Sequence, residues 1–221
     1  MGESTDKKYE EHLETVKIGL LSLKAAGADG FEGLLRVVLT NLTGIPFRLA
    51  ASGLQGGIDG DAAMPSDPVC FEAKRYSGKI NRNEVLPKIA DLSRKSTAAD
   101  RLWVLGATNE INTQLAQALR EDGDKHAIST LVLDWTASPL PLLAVAVVAG
   151  GDAARRFIID NYDEKTEQEK PSEEDLRTAF SSILGHPEFE GLLQRLKSNL
   201  DISKLSFKRA VDQNSSWRKQ T

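Results

Sequence analysis

The sequence predicts an α/β fold, a mixed β-sheet flanked by helices with a C-terminal helical segment, and three observations carry that expectation. A helix-period segment at 31–43 runs into three short strand-like runs, helix and strand patterns then alternate from 81 to 135, and from 141 onward only helical periodicity is left. The first pattern is a β-meander behind a helix, which pairs strands antiparallel. The second needs crossover helices, which pair them parallel, so one sheet holding both is mixed.

Each element follows from its own pattern. Leu13, Val16, Leu20 and Leu23 recur at helical spacing before "GADG", giving a helix over 6–25. Phe31, Leu34, Leu35, Val38 and Leu39 give the helix over 31–43, with Asp29 and Glu32 at capping-box spacing before it and Gly44 to close it. "IPFRLAAS", "GGIDGDAA" and "VCFEAKRY" read as three strands, with "MPSDP" as a turn. A helix over 81–96 despite Pro87, a strand at 101–108, a helix at 110–122 and a strand at 127–135 complete the alternating part. Beyond it, 141–162 reads as helical with a bend at "VVAGGDAARR", which lacks the glycine and lysine spacing of a phosphate-binding loop. Amphipathic helices follow at 173–185 and 186–200.

This divides the chain into a domain over 1–160, a charged linker over 161–176 and a helical segment over 177–221 whose polar tail is read as leading into further domains of a longer protein. The linker, charged and poor in apolar residues, is expected to be the most protease-sensitive stretch, leaving a core that ends near 160.

Composition narrows the function classes. No run approaches the roughly 20 apolar residues of a membrane span, and the N-terminus is polar where a secretory signal is apolar. A lone cysteine, Cys70, makes no internal disulfide, which fits a reducing cytoplasm. His12, His126 and His186 have no metal-ligand spacing. A net charge of −4 does not mark the whole chain as a polyanion binder, but its distribution is uneven. Eight basic residues stand against four acidic between Glu72 and Arg101, a local +4, whereas 161–176 holds seven acids and two lysines, a local −5. A basic segment of this kind is a candidate nucleic-acid face.

The densest chemistry lies in "GGIDGD" and "VCFEAKRY". Side chains alternate along a strand, so Val69, Phe71 and Ala73 share one face and can pack on the helix at 31–43, while Cys70, Glu72, Lys74 and Tyr76 share the other. A turn centred near Ser66–Asp67 sets Asp61 across from Glu72 and Asp59 across from Lys74, at a cross-strand spacing of about 5 Å. Two carboxylates and an ammonium then converge, with either Asp59 or Asp61 as the second acid. Paired carboxylates on a rigid sheet suit a hard dication such as Mg²⁺, which keeps part of its water shell and takes phosphate oxygens, and a neighbouring lysine can orient the attacking water. That is the equipment of phosphodiester hydrolysis.

Taken together, "GGIDGD", "CFEAKRYSGKI" and the element order over about residues 30–135 resemble the PD-(D/E)xK nuclease superfamily, most closely its Mrr-like restriction endonucleases. Ile58 stands where the motif has proline, a position the superfamily varies. The resemblance implies a restriction-endonuclease-like sheet and a Mg²⁺-dependent endonuclease acting on double-stranded DNA, with Mn²⁺ able to substitute. It implies Asp59, Glu72 and the backbone carbonyl of Ala73 as metal ligands, Lys74 serving the water, and Glu32 as the helical glutamate near the metal. Arg75, Lys79 and Arg82, directly after the motif, would hold DNA phosphates. Similar modules are N-terminal effectors of bacterial antiviral assemblies, including STAND NTPases, which implies a homo-oligomer, dimer or higher, and downstream sensor domains. The alternatives are a catalytically silent nucleic-acid-binding or oligomerisation module of the same fold, and a stand-alone restriction enzyme, which the lack of a recognisable DNA-reading domain disfavours.

Overall fold

The computed structural model describes residues 3–50, 58–63, 69–95, 101–136, 139–166 and 169–201. The ends of the first two expected strands at 51–57, the expected turn at 64–68 and the tail from 202 onward lie outside the described residues.

Helices α1 (Glu3–Leu21) and α2 (Phe31–Thr43) precede β1 (Phe47–Leu49), β2 (Gly60–Ala62) and β3 (Val69–Lys74). Then come α3 (Arg82–Lys95), β4 (Arg101–Ala107), α4 (Thr113–Lys125) and β5 (Ile128–Leu133). Helices α5 (Leu142–Ala149), α6 (Gly151–Asp160), α7 (Glu173–Leu184) and α8 (Phe189–Leu200) finish the described chain. The strands lie in the order β1-β2-β3-β4-β5. The meander pairs antiparallel and β3-β4-β5 pair parallel, giving the mixed α/β sheet that the alternation of patterns implied.

Strand alternation divides the core between the two faces of the sheet. Val69, Phe71 and Ala73 of β3 and Leu102 and Val104 of β4 pack with Phe31, Leu34, Leu35 and Val38 of α2, all buried. On the other face Cys70, Trp103, Leu105 and Ala107 meet Val85, Ile89 and Leu92 of α3 and Leu115 and Leu119 of α4. Pro87 sits inside α3 without ending it. Helix α4 starts at Thr113 rather than at Glu110 because Asn112 caps it, its side chain accepting from Leu115 N at 2.8 Å.

The helical run expected over 141–162 is two helices. Gly151, at φ +60°, turns the chain between them in a left-handed conformation costly to other residues. Every residue of α5 from Leu143 to Val148 is buried, which fits a helix apolar all round and enclosed by others. Around it, Leu176, Ala179, Phe180 and Ile183 of α7 and Phe189, Leu192, Leu196 and Leu200 of α8 belong to the same hydrophobic core as β3 and α2. Helix α7 lies along α1.

The boundary expected at 160 therefore separates no second core. The acidic stretch after it is tied down as well: Tyr162 forms a β-bridge with Leu23, Asp163 N donates to Ser22 O at 2.8 Å, and Tyr162 Oη donates to Pro171 O at 2.8 Å. Arg155, 8% exposed, reaches from α6 to Glu173 at 2.8 Å. The sequence shows the charge of this stretch but not the apolar stripe of α7 closing over α1, which is why the linker looked independent. Among the described residues no helix is long and apolar enough to cross a membrane.

Candidate active site

The site is set by how β2 sits between its neighbours. Gly60 lies opposite Phe71 and Asp61 opposite Cys70. One residue earlier, Asp59 N donates to Phe71 O at 2.9 Å, which brings Asp59 alongside Glu72. The expected register, Asp61 across from Glu72 and Asp59 across from Lys74, is two residues off. Pairing from the other side accounts for it: Asp61 lies opposite Arg48 of β1, and its carboxylate meets Arg48 Nε at 2.6 Å. That ion pair occupies Asp61 and leaves Asp59, 6% exposed, as the acid beside Glu72. The glycine between the two aspartates has a packing cause. A Cβ at Gly60 would stand 2.4 Å from Phe71 Cε1 and 2.6 Å from Arg48 O, so the Phe71 ring crosses β2 only where no side chain exists.

Four sequence-predicted residues meet here. Asp59 Oδ2 accepts from Ala73 N at 2.8 Å, aiming the carboxylate at β3. Glu72 is fully buried, with Lys74 Nζ 2.6 Å and Lys88 Nζ 3.2 Å from its Oε1. Its Oε2 has no hydrogen-bond partner among the described residues. Burial first, and then the charge of Asp59, push the Glu72 carboxyl above the ordinary glutamate value against the pull of Lys74 and Lys88. Burial alone would push Lys74 down, but its contact with Glu72 and the charge of Asp59 more than offset that and hold it above the ordinary lysine value. Lys74 is thus a firm ammonium, a donor to water rather than a base.

Glu32 projects from the first turn of α2. Its partner is Gly27, whose N–H donates to Oε2 at 2.8 Å. No capping box forms: the N-cap is Gly30, and Asp29 instead pairs with Lys24 at 2.5 Å. Burial and the Asp59 charge raise the Glu32 carboxyl despite the Gly27 bond, so Asp59 stands within electrostatic reach of both glutamates.

The basic residues after the motif scatter. Arg75 Nη1 donates to Leu21 O at 2.8 Å, at the carbonyl end of α1, so its guanidinium is turned into the protein. Lys79 is exposed and lines a cavity of 420 Å³ with Ile80, Asn109 and Asn112. Arg82 lines a different one, of 290 Å³, between α3 and α4.

Two further residues belong to the site that the motif did not include. Thr108, fully buried at the end of β4, exchanges two 2.9 Å hydrogen bonds with the backbone of Tyr76 while its N–H donates to Lys74 O at 3.1 Å. It fixes the end of β3 where Lys74 emerges. Lys88 comes from α3, one turn after Glu84, which accepts a hydrogen bond from Tyr76 Oη. The sequence does carry a signal for Lys88, since it falls inside the apolar stripe of Val85, Ile89 and Leu92.

Among the described residues no three His, Cys, Asp or Glu side chains stand close enough to share a metal ion. The donors present still fit Mg²⁺, which takes one or two carboxylates and keeps its waters. Asp59 and Glu72 would supply the carboxylates and Ala73 its carbonyl, and the unpartnered Glu72 Oε2 is the atom a cation would satisfy. No family model matches the chain, and no curated protein or solved structure matches it.

The raised Glu72 has a consequence for stability. With its folded-state pKa above the ordinary value of 4.5, Glu72 lends stability below that pH and loses it as pH rises through the folded-state value. Glu72→Gln, which does not titrate, should therefore melt with the wild type below pH 4.5 and increasingly above it towards neutrality. Thermal melting by circular dichroism across pH checks this. A variant that falls further below the wild type as pH rises would mean that the two ion pairs outweigh burial.

Proposed function

We propose that the chain is a metal-dependent endonuclease that hydrolyses phosphodiester bonds of double-stranded DNA. One observation carries the reading: a fully buried Glu72 of β3 with an unsatisfied oxygen stands against the ammonium of Lys74 and beside Asp59, which precedes β2 and is tied to β3 through Phe71 O and Ala73 N. Asp59, Glu72 and the Ala73 carbonyl hold Mg²⁺, or Mn²⁺ in its place, and Glu32 supports the same region through its proximity to Asp59. The ion, when bound, supplies charge stabilisation for the attacking and leaving oxygens. Lys74 donates to the attacking water and stabilises the hydroxide left when that water gives its proton to bulk solvent, Thr108 holds that lysine's backbone in place, and Lys79 and Arg82 offer sequence-independent phosphate contacts. Cutting both strands with one such site per chain calls for at least two copies at the DNA. A place as effector of an antiviral assembly rests on the family resemblance alone.

A second reading has its own support. Lys74 and Lys88 already supply one positive charge for each of the carboxylates Asp59 and Glu72, so the formal charge of the cluster is balanced without a metal, as in a silent nucleic-acid-binding module.

Supercoiled plasmid incubated with Mg²⁺, Mn²⁺ or chelator, with light scattering on the same samples, tests the first reading against the second. Nicking and linearisation that chelator stops, accompanied by a Mg²⁺-dependent rise in melting temperature that Glu72→Gln lacks, are expected. Cleavage indifferent to chelator would overturn the metal assignment, and DNA binding with neither cleavage nor a metal-dependent melting shift would favour the silent module.

A further inference from the structure

Glu72 is served by two ammoniums, and only one of them comes from the strand. We propose that Lys88 is a substrate-phosphate contact of this site, a second ammonium that Glu72 holds ready until DNA displaces it. The chemistry rests on the nuclease reading above.

Helix α3 is built to present it. Glu84 and Lys88 lie one turn apart on one face, Glu84 engaging Tyr76 Oη and Lys88 engaging Glu72 Oε1 at 3.2 Å, so the helix is pinned along β3 at two points. Lys74 alone, at 2.6 Å, already gives Glu72 a close counter-ion. Lys88, inside a stripe otherwise made of Val85, Ile89 and Leu92, sits farther from Glu72 and is more open than Lys74, so its ammonium is the more readily exchanged of the two. The exposures point outward. Glu72 is sealed at 0%, whereas the side chains of Lys74 and Lys88 keep 18% and 28% of their surface open, so an incoming anion meets the ammoniums first.

Charge balance gives both lysines a task. As found, Asp59 and Glu72 are balanced by Lys74 and Lys88. A dication entering with both ammoniums retained leaves the cluster two positive charges in excess. Hydroxide, left when a water gives its proton to bulk solvent, and the phosphodiester bring one negative charge each, and the phosphorane carries both until the P–O bond to the leaving oxygen breaks and that oxygen takes a proton from bulk water. Without Lys88 the cluster is one charge short, and an ionised Glu32 would widen the shortfall. Lys88 exchanges its carboxylate partner for a phosphate oxygen of the incoming DNA, and Glu72 would then be free to hold the ion.

The test reads binding separately from cleavage. In a Lys74→Met background with Mg²⁺, a fluorescent duplex of mixed sequence is titrated by anisotropy between about 50 and 200 mM salt. Adding Lys88→Met should weaken binding and lower the slope of log K against log salt by about one, the signature of one lost phosphate contact, and Lys88→Arg should restore both. Loss of a merely structural ion pair leaves the slope unchanged, and that result, or a slope that Lys88→Arg does not restore, overturns the proposal. If Lys88→Met fails to melt cooperatively, Lys88→Gln, which keeps a donor for Glu72 Oε1, carries the same measurement. In the otherwise wild-type chain Lys88→Met should slow cleavage at saturating Mg²⁺ without raising the metal concentration needed. Absence of cleavage by the wild type would remove the nuclease reading while the salt slope still decides whether Lys88 touches phosphate.

Discussion

Asp59→Asn and Glu72→Gln should each abolish Mg²⁺-dependent cleavage while leaving DNA binding as tight as in the wild type or tighter. Both substitutions keep the shape of the side chain. The amide oxygen introduced by Asp59→Asn would still accept from Ala73 N, and the one introduced by Glu72→Gln would still face Lys74, so the sheet is expected to stay intact. What they remove is a negative charge, which a hard dication requires and a DNA phosphate is repelled by. Lys74→Ala acts at a different point: the carboxylates remain, and the loss of a positioned donor to the attacking water should cost on the order of 10²–10⁴ in rate. Plasmid nicking and linearisation beside an anisotropy titration for each variant separates the two effects. A Glu72→Gln protein that cuts with Mg²⁺, or a Lys74→Ala protein at full rate, would sink the assignment of this site.

The second large effect is on folding. A chain ended after Asp160 should fail to melt cooperatively, because α7 and α8 contribute Leu176, Phe180, Ile183, Phe189, Leu192, Leu196 and Leu200 to the core that also holds α2 and β3. Burying a large apolar side chain is worth about 1.5–3 kcal/mol, so the gross burial lost with this set is of the same size as the roughly 5–15 kcal/mol by which a domain is stable. Truncation also uncovers the buried Val16 and Leu20 of α1. Circular dichroism melting and solubility of the 1–160 fragment measure it. A soluble fragment with a sharp transition would show that residues 1–160 fold alone after all.

The sheet was legible because its strands are short apolar or alternating runs and each crossover carries a period-3.6 stripe, and Val69, Phe71 and Ala73 pack on α2 as the alternation of β3 required. The break at Gly151 was legible for the same local reason. What failed was information held between elements. The β2–β3 register is set by the Asp61–Arg48 pair and by Phe71 crossing Gly60, neither of which any spacing in the chain encodes. Capping-box spacing at Asp29 and Glu32 was real, but the helix begins one residue later than that box requires, and Glu32 turns back to Gly27 instead. Arg75 looked like a free cation because the sequence does not show the end of α1 lying beside it. Residues 161–176 looked like a linker because charge is visible in a sequence and the closing of α7 onto α1 is not.

That closure has a temporal side. Among the described elements α1 comes first and α7, which covers it, next to last. During synthesis Val16, Leu20 and Leu23 lack that cover until α7 has left the ribosome. Contacts this distant in sequence close slowly, and apolar surface left waiting is what chaperones bind. The growing chain is thus exposed to aggregation over the interval between the two helices, and its yield in a cell should depend on chaperone capacity more than its finished stability suggests.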